Sequence, residues 1–214
     1  MLQMLLLTGV TQAQTPAVDL QALTNELQIM RQDDGMRMVF WMPREYWDVS
    51  MAGSIPSAEN RAKALSIMDD YEIIAVISGK VGLGGVLLGA SREDLMKSVT
   101  VKMADTTLQP LTQGELSNEM NSFLKTMQPV LAGLLGQFGQ SMQLLVFKGA
   151  DSAGKRLLDP QQAGSFAVML GDEAFQFRLP LGSLLPPKFD ASSSEQFPGN
   201  YNFNPYTGKQ LTTK

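Results

Sequence analysis

The sequence contains neither cysteine nor histidine. Without cysteine the protein has no disulfide, no thiolate nucleophile, no Fe–S cluster and no structural zinc site of the usual kind. Without histidine it has no Ser-His-Asp triad, no Cys-His pair and no imidazole ligand for a metal. The sequence therefore predicts no metal site and no cofactor, and it leaves carboxylates as the main candidates for acid–base chemistry.

An excess of positive charge is also missing. The 17 basic and 21 acidic side chains give a net charge of −4. Because nucleic-acid binders displace counterions with clustered Lys and Arg, this balance predicts no nucleic-acid partner. The 214 residues are 44% hydrophobic, which is enough to bury a substantial core and is typical of a globular protein.

The N-terminus carries a short apolar run, MLQMLLLTGV, over residues 1–10. The small residues Thr11 and Ala13 follow it, at the positions three and one before a cut after Ala13. This pattern predicts a signal peptide over residues 1–13 and export to the periplasm or the medium, although no Lys or Arg precedes Arg31 to form a basic leader region. A docked or disordered N-terminal helix is the alternative, and the run is too short to span a bilayer.

Hydrophobic periodicity predicts three helices, over residues 18–31, 57–71 and 112–128. In the last of them Thr112 and Glu115 have the spacing of a capping box, and Pro129 is expected to kink or restart the helix. Shorter apolar runs predict strands at 36–43, 98–104, 142–148, 165–170 and 174–179.

Residues 72–78, EIIAVIS, form the clearest strand. The four branched residues Ile73, Ile74, Val76 and Ile77 leave no polar face, so we expect a central strand that is covered on both sides. Strands and helices do not alternate regularly along the chain. The sequence therefore predicts an α+β domain over residues 14–187, a mostly antiparallel sheet with two or three helices packed on it.

Three carboxylates cluster where the second predicted helix meets the central strand: Asp69, Asp70 and Glu72. Paired carboxylates catalyse hydrolysis when they face each other across a cleft. Neighbours on a helix point in different directions, so Asp69 and Asp70 do not form such a pair by themselves. Solvated surface charge and a carboxylate-dependent hydrolase are the two interpretations of this cluster.

The segment 130–147, VLAGLLGQFGQSMQLLVF, is uncharged. It has three interpretations: a membrane-active segment, a partner-binding helix, or a buried helix that leads into a strand. Its four polar residues in the second half make it too polar for a spanning helix.

The C-terminal residues, 188–214, are rich in aromatic side chains and poor in aliphatic ones. We select five of these rings as candidate interaction residues: Phe189, Phe197, Tyr201, Phe203 and Tyr206. A segment this short cannot build a core alone without disulfides or metal. The rings are therefore expected to dock on the main domain, to bind a partner, or to stay exposed.

The same tail resembles the second half of a small zinc ribbon. Phe203, Pro205, Gly208 and Leu211 match a pattern F-C-P-x-x-G-x-x-L, with Asn204 where the ribbon has cysteine. A first knuckle would fall near residues 189–190, again without cysteine. The resemblance implies a ribbon without metal, held together by its aromatic residues. A tail draped over the sheet is the alternative.

These observations favour a non-enzymatic, exported protein of a bacterial cell envelope that acts through protein–protein contacts, with another envelope protein as its partner. Two alternatives stay open. One is the carboxylate-dependent hydrolase, and the other is a membrane-active protein that uses residues 130–147.

Overall fold

The computed structural model describes residues 18–33, 35–55, 57–82 and 87–213, so the predicted signal peptide lies outside the described residues. The helices in these ranges are α1 (Leu20–Leu27), α2 (Arg44–Met51), α3 (Ala58–Leu65), α4 (Arg92–Ser98) and α5 (Asn118–Leu134). The strands of the first half are β1 (Gln28–Gln32), β2 (Met36–Met42), β3 (Tyr71–Val81), β4 (Leu87–Gly89), β5 (Val99–Met103) and β6 (Thr106–Leu108). Those of the second half are β7 (Gln143–Lys148), β8 (Gly164–Leu170), β9 (Glu173–Leu179), β10 (Lys188–Asp190), β11 (Gln196–Phe197) and β12 (Leu211–Thr212).

The α+β class is confirmed, and every strand pairing among the described residues is antiparallel. The strands form two main sheets instead of the single sheet that the sequence predicts. In the first, the order is β1-β2-β3, and β4 and β7 share the other edge of β3. The second has the order β6-β5-β8-β9, and a third, small sheet has the order β11-β10-β12.

Strand β3 is the central strand of the first sheet, as the apolar run predicts. It pairs with β2 on one edge and with β7 on the other. The five residues from Ile73 to Ile77 are each at most 1% exposed. This burial requires cover on both faces of the sheet.

Aromatic side chains provide that cover. On one face, the Trp41 ring of β2 packs edge-on against Phe166 of β8, with ring centroids 4.8 Å apart, and so joins the two main sheets. On the helical side, Trp47 of α2 meets Phe123 of α5 at 5.0 Å. The molecule thus stacks helices, first sheet and second sheet, with the core on both sides of β3.

Two of the predicted helices are longer in the sequence pattern than in the structure. The helix expected over 18–31 ends at Leu27, and residues 28–32 pair with β2 as strand β1. Met30 continues the helical spacing of the apolar residues Leu23 and Leu27 but is 46% exposed, so cross-strand pairing prevails over helical spacing here. The helix expected over 57–71 ends at Leu65, and a 3-10 turn follows before β3 begins at Tyr71.

The capping box is present, but on a different element. The backbone N–H of Thr112 donates to the Glu115 carboxylate at 2.8 Å, around a single 3-10 turn. Helix α5 begins at Asn118, six residues later than the predicted helix, with Ser117 as its cap. It includes Pro129 and ends at Leu134.

Candidate functional site

The C-terminal residues form a small three-stranded sheet with β10 in the middle. Two turns shape it, one starting at Asp190 and the other at Asn204. In each turn the first residue accepts a backbone hydrogen bond from the N–H four positions on, Ser194 in one case and Gly208 in the other, both at 2.8 Å. Both of these fourth residues have a positive φ, of 61° and 71°. The two turns therefore have the same backbone geometry.

The side chains of Asp190 and Asn204 also make equivalent hydrogen bonds within their own turns. The Asp190 carboxylate accepts from the N–H of Ser192 at 2.8 Å, and the Asn204 carbonyl oxygen accepts from the N–H of Tyr206 at 2.9 Å. The Asn204 amide nitrogen then donates to the Asp190 carboxylate at 2.7 Å, which links the two turns directly. Both residues are buried.

These hydrogen bonds also favour the charged form of Asp190. The hydroxyl of Ser192, then the amide of Asn204 and then the N–H of Ser192 hold the pKa of the Asp190 carboxyl well below its usual range. A carboxylate with this many donors stays ionised at physiological pH, so the link between the turns is a charge-assisted hydrogen bond.

The small sheet docks on the segment that follows β9. The N–H of Gly199 donates to the carbonyl of Gly182 at 3.1 Å, and the Asn200 amide donates to the carbonyl of Pro180 at 3.0 Å. A Cβ on Gly182 would lie 2.6 Å from Pro198, so only glycine permits this approach.

The five candidate aromatic residues separate into two groups. Phe197 is buried at 6% exposure and Phe189 is half-buried, as docking requires. Tyr201, Phe203 and Tyr206 remain 42%, 59% and 82% exposed, and we call these three the exposed tail rings. The Tyr206 ring lies 6.5 Å from that of Phe197, so at least one exposed ring continues the buried one.

A groove of about 440 Å³ lies between the small sheet and α1, and both Phe197 and Tyr201 line it. Glu26 of α1 reaches into this region, where its two carboxylate oxygens accept from the N–H groups of Gly182 at 2.7 Å and Ser183 at 2.9 Å. Its charge is thus used to hold the 182–184 turn against α1. No local signal in the sequence marked Glu26, because its partners lie more than 150 positions away.

The predicted carboxylate cluster is not brought together. Asp69 forms an ion pair with Arg44 at 3.0 Å, and Asp70 is exposed. Glu72 instead points into the core, where the indole N–H of Trp41 donates to it at 2.7 Å.

Glu72 shares one cation with a second carboxylate from a distant part of the chain. The Arg156 guanidinium lies 2.5 Å from Glu45 and 3.6 Å from Glu72. Burial raises the pKa of Glu72 to about 8, although the Trp41 hydrogen bond and Arg156 favour the charged form. Arg156 lies closer to Glu45 than to Glu72 and therefore mainly compensates the charge of Glu45. The buried Glu72 carboxyl then costs less free energy in its neutral form than in its charged form.

This arrangement differs from a pair of carboxylates across a cleft. Arg156 stands between Glu45 and Glu72, and Glu72 is only 2% exposed. A cavity of about 330 Å³ lies beside Arg156, but Glu72 is not on its wall. Among the described residues, Glu45 pairs with the half-buried Arg156 and Glu72 is enclosed in the core, so these two acids do not face each other across an open cleft.

The uncharged segment 130–147 is divided among three elements: the end of α5, a 3-10 turn and β7. Its last four residues, from Leu144 to Phe147, are each at most 1% exposed. Val130 and Leu134, at the end of α5, are 52% and 77% exposed. Of the helices in the described residues, none has the length and hydropathy needed to cross a bilayer.

Comparison with protein-family models, curated proteins and solved structures gave no match. Within the described residues, no three Asp or Glu side chains converge in a group that could hold a metal ion.

Proposed function

We propose that this protein is a non-enzymatic, exported protein of a bacterial cell envelope, which binds a partner protein through the exposed tail rings. The observation that carries the proposal is the exposure of three aromatic side chains on a small sheet that is held by specific hydrogen bonds. Large exposed aromatic surface promotes association, and interfaces are enriched in such rings.

The hydrogen bonds that hold the small sheet support this proposal. The Asp190–Asn204 hydrogen bond holds the two turns of the tail together, and the Gly199–Gly182 hydrogen bond holds the tail against the main domain. Rings on a preorganised surface lose less conformational entropy on binding than rings on a free tail. The tail is in this proposal a ribbon without metal, in which the Asp190–Asn204 pair stands where a metal would join the two knuckles.

A non-catalytic role agrees with the state of the acidic residues. Glu72 and Glu45 are occupied by Arg156, and Asp69 by Arg44. The hydrolase alternative would need two free carboxylates across an open cleft. The described residues offer no such pair among the acids that the sequence singled out.

The export part of the proposal is tested separately. Mass spectrometry of the protein purified from its source organism should find a mature chain that begins at Gln14. An intact segment 1–13 on the mature protein would contradict export.

The interaction is tested with the double variant Phe203→Ser/Tyr206→Ser. Both side chains are exposed, so the variant should keep the melting temperature of the wild type. Leu134→Ser is the matched control, because Leu134 is a similarly exposed apolar side chain far along the chain on α5. After crosslinking in an envelope extract, we expect the wild type and the control to retain a defined protein partner and the double variant to lose it.

Two outcomes would contradict this function. Equal retention of the partner by the double variant would remove the exposed tail rings from the interface. Flotation of the purified wild type with liposomes, abolished by Leu134→Ser, would favour the membrane-active alternative through the end of α5.

A further inference from the structure

Two strands at the edges of the main sheets border one cleft. β1 is the first strand of the first sheet and β9 is the last strand of the second. Between them lies a cavity of about 470 Å³. Its walls are formed by α1, β1, β9, Leu181 after β9, and the tail.

The β9 wall of this cleft is the edge of the strand itself. Gln176, Phe177 and Arg178 are consecutive, yet all three border the cavity. Side chains alternate between the two faces of a sheet, so consecutive residues border one space only where that space lies along the strand's edge. The backbone of β9 is therefore accessible from the cleft.

The strand register shows which backbone groups point outward. Leu170 and Glu173 close a two-residue hairpin around Gly171, and such a closing pair exchanges both of its hydrogen bonds. Pairs then alternate along the ladder, so the N–H and C=O groups of Ala174, Gln176 and Arg178 point away from β8.

A side-chain contact agrees with this alternation of inward and outward backbone groups. Arg31 of β1 donates to the carbonyl oxygen of Ala174 at 2.7 Å, which places that carbonyl on the outer edge. The same alternation places the backbone N–H and C=O groups of Gln176 and Arg178 on the outer edge. For their outward backbone groups, the part of the chain that the structure describes supplies no hydrogen-bond partner.

The charges on the walls of the cleft favour an acidic ligand. Of the residues on its walls, Glu26 and Arg178 carry charge. Both oxygens of Glu26 are already occupied by donors at residues 182–183. Arg178 forms no ion pair with any described residue, so the cleft presents one available cation and, on the opposite wall, the half-buried apolar Ile29.

We propose that the outer edge of β9 binds an extended segment of a partner protein, one in which an acidic side chain alternates with apolar ones. The inference rests on the proposed function in taking the ligand to be a polypeptide. The backbone of the segment pairs with Gln176 and Arg178, its acidic side chain meets Arg178, and an apolar side chain contacts Ile29 on the opposite wall.

The cleft is bordered by a strand on each side. Gln28 and Ile29 of β1 lie on the wall opposite β9, so a segment bound in the cleft lies between the two strands. Tyr201 belongs both to this cleft and to the groove beside the tail. A partner segment in the cleft would therefore reach one of the exposed tail rings directly.

The probe is a panel of short synthetic peptides in which Glu alternates with Val, Ile, Leu, Phe or Tyr, measured by fluorescence anisotropy. At least one peptide should bind saturably. The same peptide with N-methyl groups on alternate residues keeps its side chains but loses its strand-pairing N–H groups, so its binding should be lost. Replacing Glu by Lys should weaken binding by about tenfold, as loss of a charge pair of about 1.4 kcal/mol does.

Variants of the protein test the same edge from the other side. Gln176→Pro removes an outward N–H without removing a hydrogen bond to β8, a position where strands tolerate proline. It should abolish binding, whereas Gln176→Ala, which keeps the N–H, should bind as the wild type does. In hydrogen exchange, peptide should slow the amides of Gln176 and Arg178 but leave those of Phe175 and Phe177 unchanged.

Binding by no member of the panel would overturn the inference, as would equal binding of the N-methylated peptide. The second result would be decisive even if Gln176→Pro failed to fold. The crosslinking experiment does not depend on the cleft variants. If the variant Phe203→Ser/Tyr206→Ser loses the crosslinked partner but no peptide binds the cleft, the β9 site alone is refuted. If that variant keeps the partner and no peptide binds, the proposed function is refuted as well.

Discussion

The Asn204 side chain donates a 2.7 Å hydrogen bond to the Asp190 carboxylate, and each residue begins one of two turns with the same backbone geometry. The bond connects segments that are 14 positions apart and have almost no aliphatic residues between them. In a segment too short for its own core, such a polar link can replace a metal or disulfide as the element that specifies one conformation.

Removing this link should loosen the tail. In Asn204→Ala, the N–H of Tyr206 and of Thr207 lose an acceptor, at a cost of about 0.5–1.5 kcal/mol each. Amide exchange at residues 206 and 207 should accelerate, while that of β3 should not change. Asn202→Ala is the control, because its side chain makes only an exposed contact with Lys188. Equal acceleration in both variants would show that the link does not hold the turns.

The positive φ of Gly208 predicts a purely conformational cost. A Cβ there would meet no atom within 4 Å, but φ is +71°. Gly208→Ala should therefore destabilise the tail by about 1 kcal/mol through backbone strain. Gly164→Ala has equally open surroundings and no positive φ, so hydrogen exchange in the tail should be unaffected by it. A neutral Gly208→Ala would mean that the second turn adopts another conformation in solution.

Burial of Glu72 predicts a stability that falls with rising pH. The folded-state pKa is raised to about 8, from about 4.3 in the unfolded chain. Between these values the folded state binds more protons than the unfolded state. The stabilising contribution of neutral Glu72 is therefore complete below about pH 4 and is lost as the pH rises to about 8, with a slope of up to about 1.4 kcal/mol per pH unit.

Glu72→Gln should flatten this dependence, since the amide cannot ionise. Urea unfolding between pH 5 and about 8.5 measures it, and Glu119→Gln on the exposed surface of α5 is the control. Parallel curves for the wild type and Glu72→Gln would contradict a raised pKa at this position.

The central position of β3 predicts a costly cavity. Ile74 is fully buried and faces β2 and β7. Ile74→Ala should lower the free energy of unfolding by about 2–4 kcal/mol. Val81→Ala, at the 56% exposed end of the same strand, should change it by less than about 1 kcal/mol. Denaturant midpoints decide between them, and equal midpoints would make β3 peripheral.

Docking of the tail predicts that its removal destabilises the main domain. Deleting residues 188–214 removes the buried Phe197, whose burial contributes about 1.5–3 kcal/mol, and uncovers residues 182–187. The melting temperature should fall by several degrees. A shorter deletion, of residues 213–214, leaves β12 in place and should not lower it. An unchanged melting temperature after the long deletion would mean that the tail contributes no docking energy.

Much of the secondary structure could be predicted because it depends on local patterns. The unbroken apolar run at 73–77, the strands expected at 165–170 and 174–179, and the Thr112–Glu115 capping box all appear in the structure. The errors occurred where helical spacing competed with strand pairing. Residues 28–32 satisfy a helical stripe, but their partners in β2 lie only a few positions further along the chain and convert them to a strand.

The candidate site was predicted only in part, for the same reason. Composition indicated an aromatic tail, but it could not separate the buried Phe197 from the exposed Tyr206, because exposure depends on what the tail docks against. Glu72 was identified as a carboxylate of interest, yet its partners Trp41 and Arg156 are 31 and 84 positions away. Such pairings have no signal in a single sequence.

The sequence alone determined what chemistry is available: the absence of Cys and His, the apolar central strand and the aromatic tail are properties of composition and of short-range order. Only the tertiary structure decided where that chemistry stands. It divided the strands into two sheets through the Trp41–Phe166 contact, placed Arg156 between two acids, and left the outer edge of β9 open. These features depend on contacts between residues distant along the chain, whose free energies are set by packing and burial and not by local propensity.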